Sequence, residues 1–260
     1  GDTLLEKIKE NRRKKWEFKK NQKFETEGKY PKNLKWKEKY NEPLTPSNDL
    51  PKIPSSWKYV TIDEITWSIS DGPHYSPQYV DTGIPFISGR NITPEGINFN
   101  TSKKITSKLH EELCLRCKPE KGDILYTKGG TTGIACVNTY DIEFNIWVHV
   151  ALLKLVDYVD PFFVMHQLNS PFCYEQSQKF THGVGNQDLG LTRMNKIVLT
   201  LPPCEEQKEI LKTLNREFSA LDSLKQKINN LSTNRKQIIN NLKHTQSSIL
   251  DSAFSGKLLN

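Results

Sequence analysis

Long hydrophobic runs, paired cysteines and phosphate-binding loops are all missing from this 260-residue sequence. The longest apolar stretch, Ile146 to Val156, is interrupted by His149 and Lys154, so no segment can span a bilayer. No signal peptide or membrane anchor is visible, and a cytoplasmic chain without a membrane partner is expected. Five cysteines, Cys114, Cys117, Cys136, Cys173 and Cys204, form an odd set in apolar surroundings, as reduced thiols do. Only Cys114 and Cys117 stand at ligand spacing. No second pair completes a four-ligand zinc site, so no metal is expected.

Catalytic signatures are equally scarce. The Gly-rich turn Gly129-Gly130-Thr131-Thr132-Gly133 leads into Ile134 and lacks the lysine of a phosphate loop, which argues against ATP hydrolysis. Leu201-Pro202-Pro203 lacks the acidic or amide first residue and the stacking aromatic of the amino-methyltransferase motif, so neither methyl transfer nor a cofactor is expected of this chain alone. Glu120, Asp123 and Lys128 are the one set that a metal nuclease would use, although carboxylates flanking a strand are usually solvated edges. No Ser/His/Asp or Cys/His arrangement stands out. What remains is a binding protein.

Charge is unevenly placed. The net charge is +7, and residues 1–50 hold 14 Lys and Arg against 9 Asp and Glu, whereas residues 51–200 hold 14 against 15. A basic total raises the expectation of a nucleic-acid or acidic partner. The nearly neutral central block excludes attraction by bulk charge, so any DNA surface there must be local.

Three segments follow. In 1–50, Leu4, Leu5 and Ile8 show helical spacing and lead into Arg12, Arg13, Lys14, Lys15, Lys19 and Lys20, which reads as a helix end, a basic linker and then a Pro-rich extended arm. In 51–201, short β-branched and aromatic runs at 59–62, 84–87, 123–127 and 148–156 alternate with Gly, Asn and Asp turns, and helical stretches fall at Ser107–Arg116 and Pro161–Ser177. That pattern predicts an α+β domain. In 202–260, Pro202 and Pro203 precede Glu205 and Glu206, Gly256 stands at a cap position, and no Pro or Gly lies between. Leu214, Phe218, Leu221, Leu224, Ile228, Leu231, Ile238, Leu242 and Ile249 recur at three-and-four spacing, with Arg235 and Thr245 on the same stripe. A helix of that length reaches roughly 75 Å. Its stripe needs a second long helix, and the expected fold is therefore an α+β domain followed by an antiparallel coiled coil. Two ordinary helices broken near Ser232-Thr233-Asn234 are the alternative.

Several stretches occur in a telling order. They are Leu50-Pro51-Lys52-Ile53-Pro54-Ser55-Ser56-Trp57, Asp71-Gly72-Pro73-His74-Tyr75-Ser76-Pro77, Gly83-Ile84-Pro85-Phe86-Ile87, Asn91-Ile92, Gly122-Asp123-Ile124-Leu125 and Leu201-Pro202-Pro203-Cys204-Glu205-Glu206-Gln207. The helix then closes on Ser248-Ile249-Leu250 and Ala253-Phe254-Ser255-Gly256-Lys257-Leu258. Over nearly the whole chain this resembles the specificity subunits of type I restriction-modification systems. The resemblance implies a target-recognition domain that reads one half of a split site on double-stranded DNA, and long helices that space it from a second such domain and dock methyltransferase subunits. A full member of that family carries two recognition domains. This chain has one and begins at Gly1, which leaves open a natural half-subunit pairing with a second recognition half through the coiled coil, a truncation, or an excised second half.

Sequence readout needs donors and acceptors on loops, since amides grip adenine and Arg or Lys grips guanine. The turn at 126–132 supplies Lys128, Thr131 and Thr132, and the amide-rich loop at 181–188 supplies His182, Asn186 and Gln187. Ser88, Arg90, Asn91, Lys103, Lys104, His74 and Tyr75 are further candidates for DNA contact. Two rival readings are a metal-dependent nuclease with a coiled-coil dimerisation arm and a coiled-coil scaffold that binds no DNA.

Overall fold

The computed structural model describes residues 2–47, 49–185 and 187–254. In chain order come α1 (Asp2–Glu27), β1 (Lys58–Thr61), α2 (Ile62–Ile65), β2 (Thr66–Asp71), β3 (Ile84–Ile87), β4 (Ile92–Thr93), β5 (Gly96–Ile97), β6 (Lys103–Ile105), α3 (Ser107–Cys114) and β7 (Ile124–Gly129). They are followed by β8 (Thr131–Val137), β9 (Asn145–Ile146), β10 (Val150–Leu155), α4 (Pro161–Leu168), α5 (Pro171–Phe180), α6 (Leu191–Met194), β11 (Val198–Leu201) and α7 (Cys204–Phe254). Internal contacts divide the chain after Lys208.

A four-stranded antiparallel sheet in the order β2-β10-β7-β8 organises the first unit. Both of its faces are covered. Ile124, Tyr126, Ala135, Val137, Ala151 and Leu153 point into one core, and their neighbours Leu125, Cys136, Val150 and Leu152 point into a second. This two-sided burial is why β7 and β10 read as continuous apolar runs rather than alternating ones. The second core is closed by Ile87, Ile92, Ile97, Phe144 and Ile146, which belong to β3, β4, β5 and the β9 region. Strand β3 pairs antiparallel with β6 and parallel with β9, and so carries Lys103 and the 145–149 segment to one side of the main sheet.

The helix expected to end before the basic stretch instead runs through it to Glu27. Lys, Arg, Glu and Gln are strong helix formers, no Pro or Gly intervenes, and pairs one turn apart join Lys14 to Glu10, Arg13 to Glu17 and Lys23 to Glu27. It stops at Gly28, whose φ of +63° suits glycine; the Gly28 N–H donates to the Glu25 carbonyl and the Lys29 N–H to the Phe24 carbonyl, a Schellman cap. Leu4, Leu5 and Ile8 dock α1 on the first core. The arm that follows turns back along α1, where Trp36 stacks on Trp16 at 5.7 Å and Tyr40 and Phe24 pack edge-on.

The helical stretch expected over Pro161–Ser177 is two helices, α4 and α5. Asn169 ends the first, and Ser170 caps the second ahead of Pro171, because a residue before proline is pushed out of the helical region. Helix α7 is continuous over 51 residues, so no break falls at 232–234. Its first turn is tied to the sheet unit: the Gln207 amide donates to the Pro202 carbonyl at 3.0 Å and accepts from the Asp160 N–H at 3.2 Å, while the Trp57 indole donates to Glu206. Further along, Phe218, Leu221, Leu224, Ile228, Leu231, Ile238 and Leu242 are exposed on α7. The side chain of Ile249 and the cap at Gly256 lie outside the described residues.

Candidate nucleic-acid interface

Five separate segments line a cleft of about 710 Å³. Ser88, Gly89, Arg90 and Asn91 form one wall, Thr101 and Lys103 a second, the β7–β8 turn from Gly129 to Thr131 a third, and Ser76, Tyr79, Phe86, Trp147 and His149 complete it. The turn fits because Gly130 adopts φ +73° and because Gly129 lies under the His149 ring, where a Cβ would come within 2.5 Å of Cδ2. Trp147 is fixed from both ends: its main-chain N–H donates to the Ile87 carbonyl at 2.8 Å and its indole N–H to the Tyr75 carbonyl at 3.2 Å. The Trp147 and His149 rings meet at 4.5 Å, and the Lys103 ammonium sits 4.1 Å from the centre of the Tyr79 ring. Among the described residues, no Asp or Glu lines the cleft.

Side chains around it divide into occupied and free. Asn91 is buried and fully engaged, its Oδ1 accepting from the Ser88 N–H and hydroxyl at 2.9 Å and its Nδ2 donating to the Asn98 carbonyl and Thr101 hydroxyl at 3.1 Å. It is a brace for the 88–91 turn. Thr132, also buried, shares its hydroxyl with Thr181 and Gln178. By contrast, Arg90 is exposed and makes no hydrogen bond or ion pair among the described residues. The hydroxyls of Thr131, Ser76 and Tyr79 and both ring nitrogens of His149 likewise have no hydrogen-bond partner there. Burial, helped by the nearby Lys128 charge, holds the His149 pKa below the ordinary value, so its imidazole is neutral near pH 7 with one donor and one acceptor.

Lys128 lies in a different place from the exposed turn the sequence suggests. Its side chain is only 6% exposed, and its ammonium sits 3.2 Å from Asp71 and 3.8 Å from Asp188. Asp71, 3% exposed, also binds Arg116 at 2.6 Å and His74 at 3.2 Å. The 182–188 loop packs beside this ion pair: His182 and Asp188 exchange two main-chain hydrogen bonds, and the Gly130 N–H donates to the Gln187 carbonyl at 2.9 Å. His182 and Gln187 are exposed there, and Asn186 lies outside the described residues. His74 and Tyr75 border a smaller recess of about 350 Å³ with Glu112 and Arg116. Lys104, half-buried, pairs through its backbone with Pro85 and Val80. The cleft thus collects Ser88, Arg90, Asn91, Lys103 and Thr131 of the expected residues, and adds Tyr79, Trp147 and His149, which no local sequence signal singled out.

The nuclease set does not assemble. Lys154 bridges Glu120 at 2.7 Å and Asp123 at 2.6 Å, while Lys128 is committed to Asp71. Lys154 draws the Glu120 carboxyl below its usual range, and burial outweighs the same lysine to hold that of Asp123 above it. No group of three metal-ligating side chains occurs among the described residues. The Arg12–Lys20 stretch is also largely engaged: Arg12 binds the Asp63 carboxylate at 2.9 Å and the Asp63 and Thr66 carbonyls at 3.0 Å, Lys15 binds Asp157 at 2.8 Å, and Lys19 reaches Ser68. Its cations fasten α1 to the domain. Among the described residues, no helix is long and apolar enough to cross a membrane.

Residues 54–233 match the family described as type I restriction modification DNA specificity domain. The type I restriction enzyme EcoBI specificity subunit of Escherichia coli is 30% identical over 181 residues, which are 69% of this chain and 36% of that protein. The HsdS subunit from Thermoanaerobacter tengcongensis superposes with a TM-score of 0.50 at 17% identity, over 86% of this chain and 50% of its own. The S subunit of a type-I restriction-modification system from M. genitalium gives 0.46 at 17% identity, over 70% of this chain and 44% of its own. This chain therefore spans between a third and a half of the length of each of these three relatives. The match to more than half of its residues, at the order of motifs set out above, means that the chain belongs to the family of the type I restriction modification DNA specificity domain.

Proposed function

We propose that this chain is a non-catalytic DNA-recognition subunit that reads one half of a bipartite site and directs methyltransferase subunits docked on it. The reading domain occupies 51–201, and the helix from 202 onward pairs antiparallel with the helix of a second recognition half. One observation carries the DNA reading. In a domain whose charges balance, a cleft without a single acidic side chain gathers an unpaired arginine, a lysine and several uncommitted donors and acceptors. Phosphate attraction and base readout need those two things together.

The pairing of α7 is supported by its exposed apolar stripe, because Leu221, Leu224, Ile228, Leu231 and Leu242 have no cover within the helix. The chain works where the DNA is, in the cytoplasm, and needs no cofactor of its own. Genome-wide adenine-methylation mapping, with and without the gene, tests this function: a bipartite motif that disappears on deletion is expected, and an unchanged methylation pattern would refute it. Arg90→Ala is expected to weaken binding of the assembled complex to cognate and scrambled duplexes alike.

A further inference from the structure

We propose that the 710 Å³ cleft receives a single unstacked nucleotide of the recognised DNA, a step beyond reading groove edges. This rests on the DNA-recognition reading above. In an intact duplex the base faces are hidden in the stack, and only edges at the floor of a groove are presented; a protein reads those by projecting side chains outward. Here the arrangement is the opposite. The free groups line a recess of small-ligand size, with Tyr79, Phe86, Trp147 and His149 in its walls. Aromatic side chains in a recess suit a base, whose faces DNA exposes only where a nucleotide leaves the stack.

The remaining groups fit the other parts of a nucleotide. The neutral His149 ring has a donor and an acceptor without partners, and the Thr131 and Ser76 hydroxyls are free among the described residues, so a base edge has polar groups to meet. Arg90 and Lys103 supply charge for the phosphate, and no carboxylate in the wall opposes it. The frame is rigid where it must be. Trp147 is held at both its nitrogens, Asn91 braces the turn that carries Arg90, and Gly129 alone allows His149 to lie against the β7–β8 turn.

The test uses the full chain with its methyltransferase subunits on duplexes of the mapped target site, carrying 2-aminopurine at each position in turn. Emission is expected to rise severalfold at one position and to fall back in both Tyr79→Leu and Trp147→Leu. A mismatch opposite that position removes the pairing to be broken and is expected to tighten binding about tenfold in the unsubstituted protein only. Should Trp147→Leu fail to fold, Tyr79→Leu carries the comparison. Should every position that brightens stay bright in both variants, as when the only extruded base enters a methyltransferase subunit, the proposal is overturned. Tight cognate binding with dark probes throughout also overturns it and leaves DNA recognition standing; failure of the complex to retain any duplex removes DNA recognition first.

Discussion

Replacing Asp71 by Asn should destabilise the recognition domain more than replacing Lys128 by Met, although the two side chains form one ion pair. The asymmetry comes from what each leaves behind. Without Lys128, the buried Asp71 carboxylate keeps Arg116 at 2.6 Å and His74 at 3.2 Å, so the loss is about one charge-assisted hydrogen bond, about 1.5–3 kcal/mol. Without the Asp71 charge, Lys128 at 6% exposure keeps only Asp188 at 3.8 Å, and an incompletely compensated buried ammonium costs about 3–5 kcal/mol. Arg116 adds little to that figure, because at 59% exposure it turns to water. The double replacement should fall short of the sum of the two by about 0.5–3 kcal/mol, as expected of contacting groups. Urea denaturation of each variant reads these differences as midpoint shifts at constant slope. Salt-titrated DNA affinity supplies the second readout. A lysine turned inward on a carboxylate does not release a counterion, so Lys128→Met should leave the salt slope unchanged. The reasoning is refuted if Lys128→Met costs as much as Asp71→Asn, or if it lowers the slope by about 0.9 at unchanged stability, the mark of a phosphate contact.

Arg90→Ala should do what Lys128→Met does not: lower the salt slope by about 0.9 while changing the unfolding free energy in urea by less than about 0.5 kcal/mol, since the side chain is exposed and unpaired. Leu231→Asp with Leu242→Asp should reduce the oligomer to a smaller species in sedimentation, leaving the sheet unit's melting unchanged; unaltered size would refute the paired helix. Burial pushes the Cys117 thiol up to about 11 and those of Cys136 and Cys173 to about 12. A group whose folded pKa is raised stabilises fully below its unfolded pKa, so stability should be intact up to about pH 8.5 and fall as pH climbs through 9 to 12. Cys117→Ala should flatten the early part of that decline in denaturation curves taken across this range, and an equal slope in the variant would contradict the assignment.

The parts of the fold legible in the sequence are those fixed by near neighbours. Helix α7 announces itself because Pro202-Pro203 can only precede a helix and nothing up to Gly256 can break one. Strands β7 and β10 are visible as apolar runs, since a strand covered on both faces needs no alternation. Long-range partners are what the local pattern conceals. Composition marks Lys128 as a cation on a Gly-rich turn, yet whether it meets DNA or protein is decided by Asp71, which stands at the end of a strand two places away in the sheet. The basic run in α1 misleads for the same reason: Asp63, Asp157 and Glu64, which take up Arg12, Lys15 and Lys9, lie far along the chain. Tyr79, Trp147 and His149 look like ordinary core aromatics when read singly. Only the pairing of β3 with both β6 and β9 draws them to one recess.

The fold-back of the arm onto α1 has a spectroscopic consequence. Of the five tryptophans, Trp16 and Trp36 stack in a small aromatic cluster that belongs to neither sheet core, whereas Trp147 stands in the cleft. A cluster of that kind, on a surface segment with few buried apolar neighbours, opens at a lower free energy than the sheet behind it. Intrinsic emission therefore records two events in one signal, peeling of the arm and loss of the sheet, and a denaturation curve followed by fluorescence will lead the one followed by circular dichroism. With Trp16 and Trp36 replaced by Phe, the emission that remains becomes a report on the sheet unit alone.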